Sequence, residues 1–533
     1  MKFIEIKIKN FRSIVDATLV GGPDDVWTIV GQNNAGKSSV MYAIRAFYND
    51  YNVKIEDFPR GASDGLEMKI QFTFKLTEDE YIQLPEQYRL PSNQLKVVKK
   101  YTRDKLKGVA KGYILDQNGT QIESEDEFFG AQNVAVGKLG SVIYIPAVKE
   151  LSEELKKTKT SLFSRLVSRI ITETITELPA WERLVSDTSE FVQALKSPVK
   201  STGDHKSLHE IEESLAGKMR SWGIRPSFTF SEPTPEDIVM STAGMKLLSV
   251  DSDSEEDPSN LGSGAQRSLV NNLLMLWAEI ENKKEVSKKK NFNGDLVIVL
   301  YEEPEAFLHY DQEKKLLRNL EELSANTNTQ VLISTHSPNL ISTKKDSLRC
   351  ISRLIKQGEL TNLYAASETY INGLLATASD FDLALWLNPD RNTMFFVDKV
   401  ILVEGTSDKA FLNYIIDTEN LTANVYIVDC GMKSNIPIFM GLCEQFGMTH
   451  LVMYDEDQNR EVDHQTWNAA IVTSGNSFTQ ANKTFDNDLE DYIGFQQIPR
   501  TDKHKKPYKV LEQLKAGQLS APHLQEFINF INS

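Results

Sequence analysis

Apolar and polar residues alternate from the start of the chain: Phe3, Ile4, Ile6 and Ile8 lead into the turn Asn10-Phe11-Arg12-Ser13. A second apolar run, Val26-Trp27-Thr28-Ile29-Val30, feeds a glycine loop and a helix opening near Lys37. Period-two segments from Glu67 to Leu76 and from Lys96 to Leu115 predict an antiparallel layer. Ser141-Val142-Ile143-Tyr144-Ile145 reads as a further strand, ended by Pro146. From Leu151 to Leu215 the pattern turns helical, with Glu/Lys-rich faces and few glycines, which predicts a helical insertion between sheet segments. Ser249 to Asn260 is acidic and serine-rich and reads as a mobile loop. Strands return at Asp295 to Tyr301 and Gln330 to Ser334 with a helix between them. A helical connector from Glu368 to Asn388 leads to a strand at Lys399 to Val403, after which strand and helix alternate, the mark of a parallel sheet. No internal repeat interrupts this order.

The chain has 533 residues, 40% hydrophobic and 25% charged, so it is long enough for two or three ordinary globular domains. Its longest apolar stretches, such as Leu296 to Tyr301, are of strand length, so no membrane partner is expected. The N-terminus lacks an apolar signal region, and Cys350, Cys430 and Cys443 have neither disulfide nor CxxC spacing. A cytoplasmic location without a thiolate zinc site follows as the expectation. The net charge of −16 counts against a nucleic-acid partner, since phosphate binding draws on Lys and Arg. Local basic runs soften that: Lys96, Lys99, Lys100, Arg103, Lys105, Lys107 and Lys111 read as a solvated hairpin face, and Lys288-Lys289-Lys290 as a solvated loop.

Gly31-Gln32-Asn33-Asn34-Ala35-Gly36-Lys37-Ser38 fits GxxxxGK[ST] in full, between an apolar strand and a helix. Backbone amides from Gly31 through Asn33, Asn34 and Gly36 to Ser39 can close around phosphates, Lys37 can reach the β- and γ-phosphates, and Ser38 can ligate Mg²⁺. A strand ending in Glu302-Glu303-Pro304-Glu305 offers one carboxylate for the ion's water shell and a neighbour to polarise water. Another strand ends in Thr335-His336-Ser337-Pro338, and Leu261-Gly262-Ser263-Gly264 opens a helix able to present amides to phosphate.

Lys399-Val400-Ile401-Leu402-Val403-Glu404-Gly405-Thr406-Ser407-Asp408 is a buried-type strand with a carboxylate at its end. Thr449 to Tyr454, followed by Asp455-Glu456-Asp457, repeats the design. Carboxyl ends of parallel strands face one crevice, so Glu404, Asp455 and Asp457 can converge. Three such carboxylates repel unless cations bridge them, which predicts Mg²⁺ or Mn²⁺ and two-ion phosphodiester chemistry. The bland alternative makes each acid a helix cap or turn residue after its strand.

In order and spacing, the first set resembles the Walker A, signature, Walker B and switch-histidine motifs of ABC-type ATPase heads, in the SMC-like branch. The second resembles the Toprim domain, and the succession of the two resembles the OLD (overcoming lysogenization defect) nucleases along nearly the whole chain. The resemblance implies an α/β fold: an ABC-type head in two parts, 1–150 and 236–367, with a helical insertion for dimerisation at 151–235. A connector, 368–395, and a Rossmann-like Toprim domain, 396–533, would follow. It assigns Glu302 to the metal shell, Glu303 to the catalytic base and His336 to the γ-phosphate. Ser263 and Gly264 would cap the nucleotide of a partner head, making the protein a homodimer or higher homo-oligomer. Glu404, Asp408, Asp455 and Asp457 become metal ligands. Glu490, or Asp488, serves a second ion, and Lys506, or Lys505, stabilises transition-state charge. Gly431 and Lys433 are expected on the phosphate backbone of the substrate. The implied cofactors are ATP and Mg²⁺ or Mn²⁺. The implied activity is a nucleotide-gated DNA endonuclease or nickase in antiphage defence, with a separate defence partner conceivable. An RNA- or tRNA-directed toxin and a DNA-repair clamp with an inert Toprim are the alternatives.

Overall fold

The computed structural model describes residues 1–63, 65–129, 138–147, 178–196, 208–220, 225, 227–228, 234, 246–249, 252–282, 292, 294, 296–325, 328–344, 347–377, 387–422, 424–458, 462–496 and 504–533. Most of the expected helical insertion lies outside them, as do Lys288-Lys289-Lys290, Lys503 and part of the connector. Backbone contacts divide the chain into one unit made of Met1–Ala147 with Val286–Ser533, and a second, Val148–Glu285.

The first unit carries two sheets. Twelve strands form the larger: β1 (Lys2–Phe11), β2 (Ile14–Val20), β3 (Trp27–Val30), β4 (Met68–Lys75), β5 (Gln94–Thr102), β6 (Lys105–Leu115), β7 (Gln121–Glu123), β8 (Ser141–Ile145), β11 (Val297–Glu302), β12 (Thr329–Ser334), β13 (Ile351–Gln357) and β14 (Leu360–Ala365). Their order is β7-β6-β5-β4-β1-β2-β14-β13-β3-β12-β11-β8. From β7 to β2 the pairs are antiparallel, as the period-two pattern predicts. From β13 through β3, β12 and β11 to β8 they are parallel. Every residue of β3, β11 and β12 is buried, which is why these strands read as unbroken apolar runs. The helix after β3, α1 (Lys37–Phe47), packs its apolar side onto β1 and β4.

Lys99 departs from the expected solvated hairpin face. Its ammonium is buried and donates to Ala46 O (2.9 Å), Phe47 O (3.0 Å) and Asn49 Oδ1 (2.5 Å). It thus caps the negative end of α1, and burial pushes its pKa down to about 7.

The second sheet has the order β16-β15-β17-β18 and is wholly parallel: β15 (Lys399–Val403), β16 (Val425–Asp429), β17 (Thr449–Asp455) and β18 (Thr479–Phe485). Helices α7 (Thr406–Thr418), α8 (Ile436–Gln445) and α9 (Val462–Thr473) make the crossovers. The chain closes with α10 (Leu489–Ile493), α11 (Lys506–Lys515) and α12 (Ala521–Asn532). The two sheets of this unit share apolar packing. Val30, Ile341, Leu348 and Ile351 lie in one buried cluster with Val400, Leu402, Val428 and Phe446.

In the second unit the described residues form helices α2 (Pro179–Lys196), α3 (Leu208–Lys218) and α4 (Ser263–Asn282). Leu247–Ser249 (β9) and Ser252–Glu256 (β10) pair antiparallel. An antiparallel strand pair therefore stands where a mobile loop was expected, held by backbone bonds that an acidic, serine-rich sequence does not announce. The first unit adds α5 (Tyr310–Ala325) between β11 and β12, and α6 (Glu368–Thr377) between β14 and β15, which starts the connector.

Candidate functional site

The loop between β3 and α1 is shaped by its glycines. Gly31 has φ +142° and a Cβ there would meet Leu354 O at 2.4 Å. Gly36 has φ +100°, and its Cβ would meet Thr361 Oγ1 at 2.9 Å. Thr361 Oγ1 donates to Ala35 O (3.1 Å) and accepts from the Ser13 hydroxyl (2.8 Å), so β14 fastens the loop from behind; nothing in the motif pointed to Thr361. Asn33, Asn34 and Ser38 are exposed, and Ser39 is buried. Lys37 is folded inward, with Nζ 2.9 Å from Gly31 O and from Gln32 O and 2.7 Å from His336 Nε2. Burial lowers its pKa to about 8.

The tips of β11 and β12 converge on this lysine. Glu302 ends β11 in a buried position. Glu303 follows with φ +42°, its Oε1 3.9 Å from His336 Nε2. Burial, then the Lys37 charge, lowers the pKa of His336. Glu305 is a residue the motifs left without a role. Its Oε1 accepts the His336 N–H at 2.6 Å, and burial raises its pKa. Lys37, Glu302, Glu303, Glu305 and His336 therefore form one constellation. Ser263 and Gly264 belong to the second unit, where Ser263 opens α4. Gln266 ties their loop by donating to Ser259 O and Leu261 O.

In the smaller sheet the carboxylates stand at the carboxyl ends of parallel strands. Glu404 follows β15, Asp455 ends β17, and Asp488 and Glu490 follow β18. Glu404 Oε1 accepts the Asp455 N–H at 2.8 Å, and Asp455 Oδ1 accepts the Leu489 N–H at 3.1 Å. Asp408 Oδ2 accepts the Gly405 N–H, capping α7. Burial first, then neighbouring acids, raises the pKa of Asp408 and Asp455, and burial also raises that of Glu404. Lys506 Nζ lies 2.9 Å from Glu490 Oε2. Lys433 Nζ lies 2.7 Å from Asp457 Oδ2 and 3.7 Å from Glu404 Oε1. His464 Nδ1 is 3.0 Å from the same Asp457 oxygen. Asp488 caps α10 by accepting the Asp491 N–H, so Glu490 is the acid of that pair turned into the cluster.

Among the described residues no three His, Cys, Asp or Glu side chains enclose an ion position as they stand; ammonium groups hold the acids instead. The donor set still fits a hard cation. It is all oxygen, and among the described residues the buried Glu490 Oε1 has no hydrogen-bond partner while Oε2 meets the Lys506 ammonium. The acids are also close enough to raise one another's pKa values, the repulsion that a bound cation relieves.

Two contacts run from the nucleotide loop's surroundings to this sheet. Gln32 Nε2 donates to Asp398 Oδ1, one residue before β15. Arg353, on β13 beside β3, donates to Phe395 O (3.0 Å), Val397 O (2.7 Å), Phe446 O (3.0 Å) and Gly447 O (3.1 Å). Burial lowers its pKa to about 10.

A family model described as an AAA ATPase domain matches residues 1–132 and 99–341. One described as an overcoming lysogenization defect protein-like Toprim domain matches 395–457. The Old nuclease of Escherichia phage P2 is 25% identical over 436 residues, 76% of this chain and 68% of its own. The OLD nuclease of Thermus scotoductus is 22% identical over 475 residues, 85% of this chain and 81% of its own. The endonuclease GajA of Bacillus cereus (strain VD045) is 24% identical over 480 residues, 86% and 75% respectively. A solved Smc head bound to the C-winged helix domain of ScpA covers 69% of this chain and 99% of its own. Its 10% identity and TM-score of 0.38 are too low to add to the fold read from the sheet order. No helix of the described residues is long and apolar enough to cross a membrane. An ATPase domain followed by a Toprim domain implies use of nucleotide and divalent metal in general, and the chain belongs to the AAA ATPase domain family in the OLD nuclease arrangement.

Proposed function

We propose that the protein is an ATP-binding, divalent-metal-dependent DNA endonuclease or nickase, with the ATPase head gating the Toprim centre. The observation that carries this reading is the convergence of Glu404, Asp408, Asp455, Asp457, Glu490 and Lys506 at one end of a parallel sheet. A structural cap explains one acid after one strand. It does not explain acids from three strand ends gathered in one cluster, where burial first and then neighbouring acids raise the pKa of Asp408 and Asp455. Glu404, Asp408, Asp455 and Glu490 would hold Mg²⁺ or Mn²⁺, which supplies the positive charge a scissile phosphate needs. Lys506, a third exposed and 2.9 Å from Glu490, is placed to follow charge that develops on that phosphate.

Gating is supported by Gln32 and Arg353, which join the nucleotide loop and its neighbouring strand to the segment that leads into β15. ATP binding draws on Lys37, Ser38, Ser39 and the loop amides, with Glu302, Glu303 and His336 at the γ-phosphate end. Ser263 and Gly264 would complete the nucleotide site from a second copy, so the protein is proposed to work as a homodimer. Light scattering that gives a monomer both with and without ATP would remove that part. The relatives named as nucleases support a nucleic-acid substrate, and the family resemblance supports a cytoplasmic role in antiphage defence.

The deciding experiment offers purified protein supercoiled DNA, linear DNA and tRNA, with Mg²⁺ or Mn²⁺ and varied ATP. Metal-dependent nicking or linearisation of the plasmid is the expected result. Cleavage of tRNA alone would replace DNA by RNA, and no cleavage of any substrate would leave the inert clamp.

A further inference from the structure

One short stretch of chain touches both the loop that carries His336 and the second sheet. It is the helical turn Pro389–Asn392 with the 3-10 turn Thr393–Phe396, which runs on to β15. Two adjacent polar residues of this stretch are buried, and they serve different partners. Arg391, 6% exposed, donates from Nε to the carbonyl of Asp429, the last residue of β16, at 2.6 Å. Asn392, wholly buried, donates from Nδ2 to Leu387 O (2.8 Å) and to Pro338 O (3.3 Å), two residues beyond His336. The Phe396 ring lies 6.4 Å from that of His336.

Both partners of Asn392 Nδ2 are carbonyl oxygens, so the amide has one orientation and its Oδ1 faces the other way. Among the described residues that buried oxygen has no hydrogen-bond partner, and neither has Asn339 Oδ1 in the His336 loop. A buried acceptor without a donor costs stability, and an apolar side chain of similar size would brace the junction without that cost. Two such acceptors at one junction mark an arrangement with a competitor, in which the loop after His336 has shifted and donors reach them. A nucleotide that contacts His336 can favour one arrangement over the other.

We propose that residues 389–396 form a relay: Asn392 registers the position of the His336 loop, and Arg391 passes it to the end of β16. From there the chain turns into residues 431–433, whose lysine lies 2.7 Å from Asp457 in the carboxylate centre. The relay rests on the reading of a nucleotide-gated nuclease and runs through neither Gln32 nor Arg353. Arg391 and Asn392 are positioning residues, acting through the loops they hold.

Hydrogen–deuterium exchange of the full chain, with Mg²⁺ throughout and with or without saturating adenylyl imidodiphosphate, tests this. In wild type the nucleotide should slow exchange at least about fivefold in residues 389–396 and in 429–433. Asn392→Leu should still bind the analogue and protect the phosphate loop, but lose the response in both segments. Arg391→Lys should keep the response in 389–396 and lose it in 429–433. Loss of stability alone does not produce that order, and Arg391→Lys decides the matter if Asn392→Leu fails to fold. A response at 429–433 that survives in either folded variant overturns the relay and leaves gating standing. So does a wild-type response confined to other parts of the second sheet. No wild-type response anywhere in residues 396–533 overturns relay and gating together.

Discussion

Gln32, in the phosphate loop, donates its side-chain amide to Asp398, whose own chain runs directly into the strand that ends at Glu404. The second Asp398 oxygen accepts from Asn424 Nδ2 at 3.0 Å, so the carboxylate bridges the loop and the strand pair β15–β16. Asp398→Ala should leave ATP affinity within about threefold of wild type, as expected for an exposed polar contact, but blunt the response of plasmid cleavage to ATP. An unchanged ATP response would remove this bridge from the gating route.

Lys37→Ala should raise the dissociation constant for ATP by about two orders of magnitude, since it deletes the charge-assisted bonds to the β- and γ-phosphates. Equilibrium titration with a fluorescent ATP analogue reads this directly. An affinity equal to wild type would sink the nucleotide site.

Glu303→Gln and Glu302→Gln should separate. The first should bind ATP and fail to turn it over, because Glu303 stands free of β11 beside His336, whereas Glu302 closes the buried strand. The second should weaken Mg²⁺-dependent binding. Phosphate release by Glu303→Gln at the wild-type rate would mean that Glu303 is not the base.

Asp455→Ala should eliminate nucleic-acid cleavage and leave ATP binding intact. Without Asp455 the cations that neutralise charge on the scissile phosphate lose a ligand, and the remaining acids repel it. EDTA should act in the same way. A variant that cleaves as fast as wild type would put the chemistry elsewhere.

His450 gives the pH dependence a sign. It is fully buried on β17, with Nδ1 3.2 Å from Met448 O and Nε2 2.8 Å from Thr479 Oγ1, and burial lowers its pKa below 6.5. The unfolded chain therefore takes up this proton first. The stability held above the unfolded pKa is lost as pH falls through the folded one, at up to about 1.4 kcal/mol per unit. Melting curves between pH 7 and 5 should fall less steeply for His450→Gln than for wild type, and parallel slopes would acquit His450.

Much of this was legible because the signals are local. Buried parallel strands read as apolar runs, and the phosphate loop carries glycines whose positive φ and close backbone approaches leave no room for a side chain, as Gly31 against Leu354 O shows. The acids after β15 and at the end of β17 follow from strand ends, whereas Glu490 after β18 came only from the family resemblance. What was not legible depends on partners distant in sequence. Lys99 looks like one more basic residue of a hairpin until α1 ends against it. Lys433 looks like a phosphate contact until Asp457 arrives from another crossover. Glu305 and Thr361 act through single backbone atoms of His336 and Ala35, and no motif records that. Arg353 shows its role only once the carbonyls of Phe395, Val397, Phe446 and Gly447 surround it.

The apolar cluster that joins Val30 and Ile351 to Val400 and Leu402 has a consequence for anyone who would take the protein apart. Pulling the two sheets apart would wet both faces of that seam, at about 1.5–3 kcal/mol for each large side chain, and strand four carbonyls that Arg353 now satisfies. The nuclease half is thus no interchangeable cartridge. A chimaera that swaps in a relative's Toprim must bring the matching Ile341, Leu348, Ile351 and Arg353 surface with it, and the two catalytic halves are bound to diverge in step along that seam.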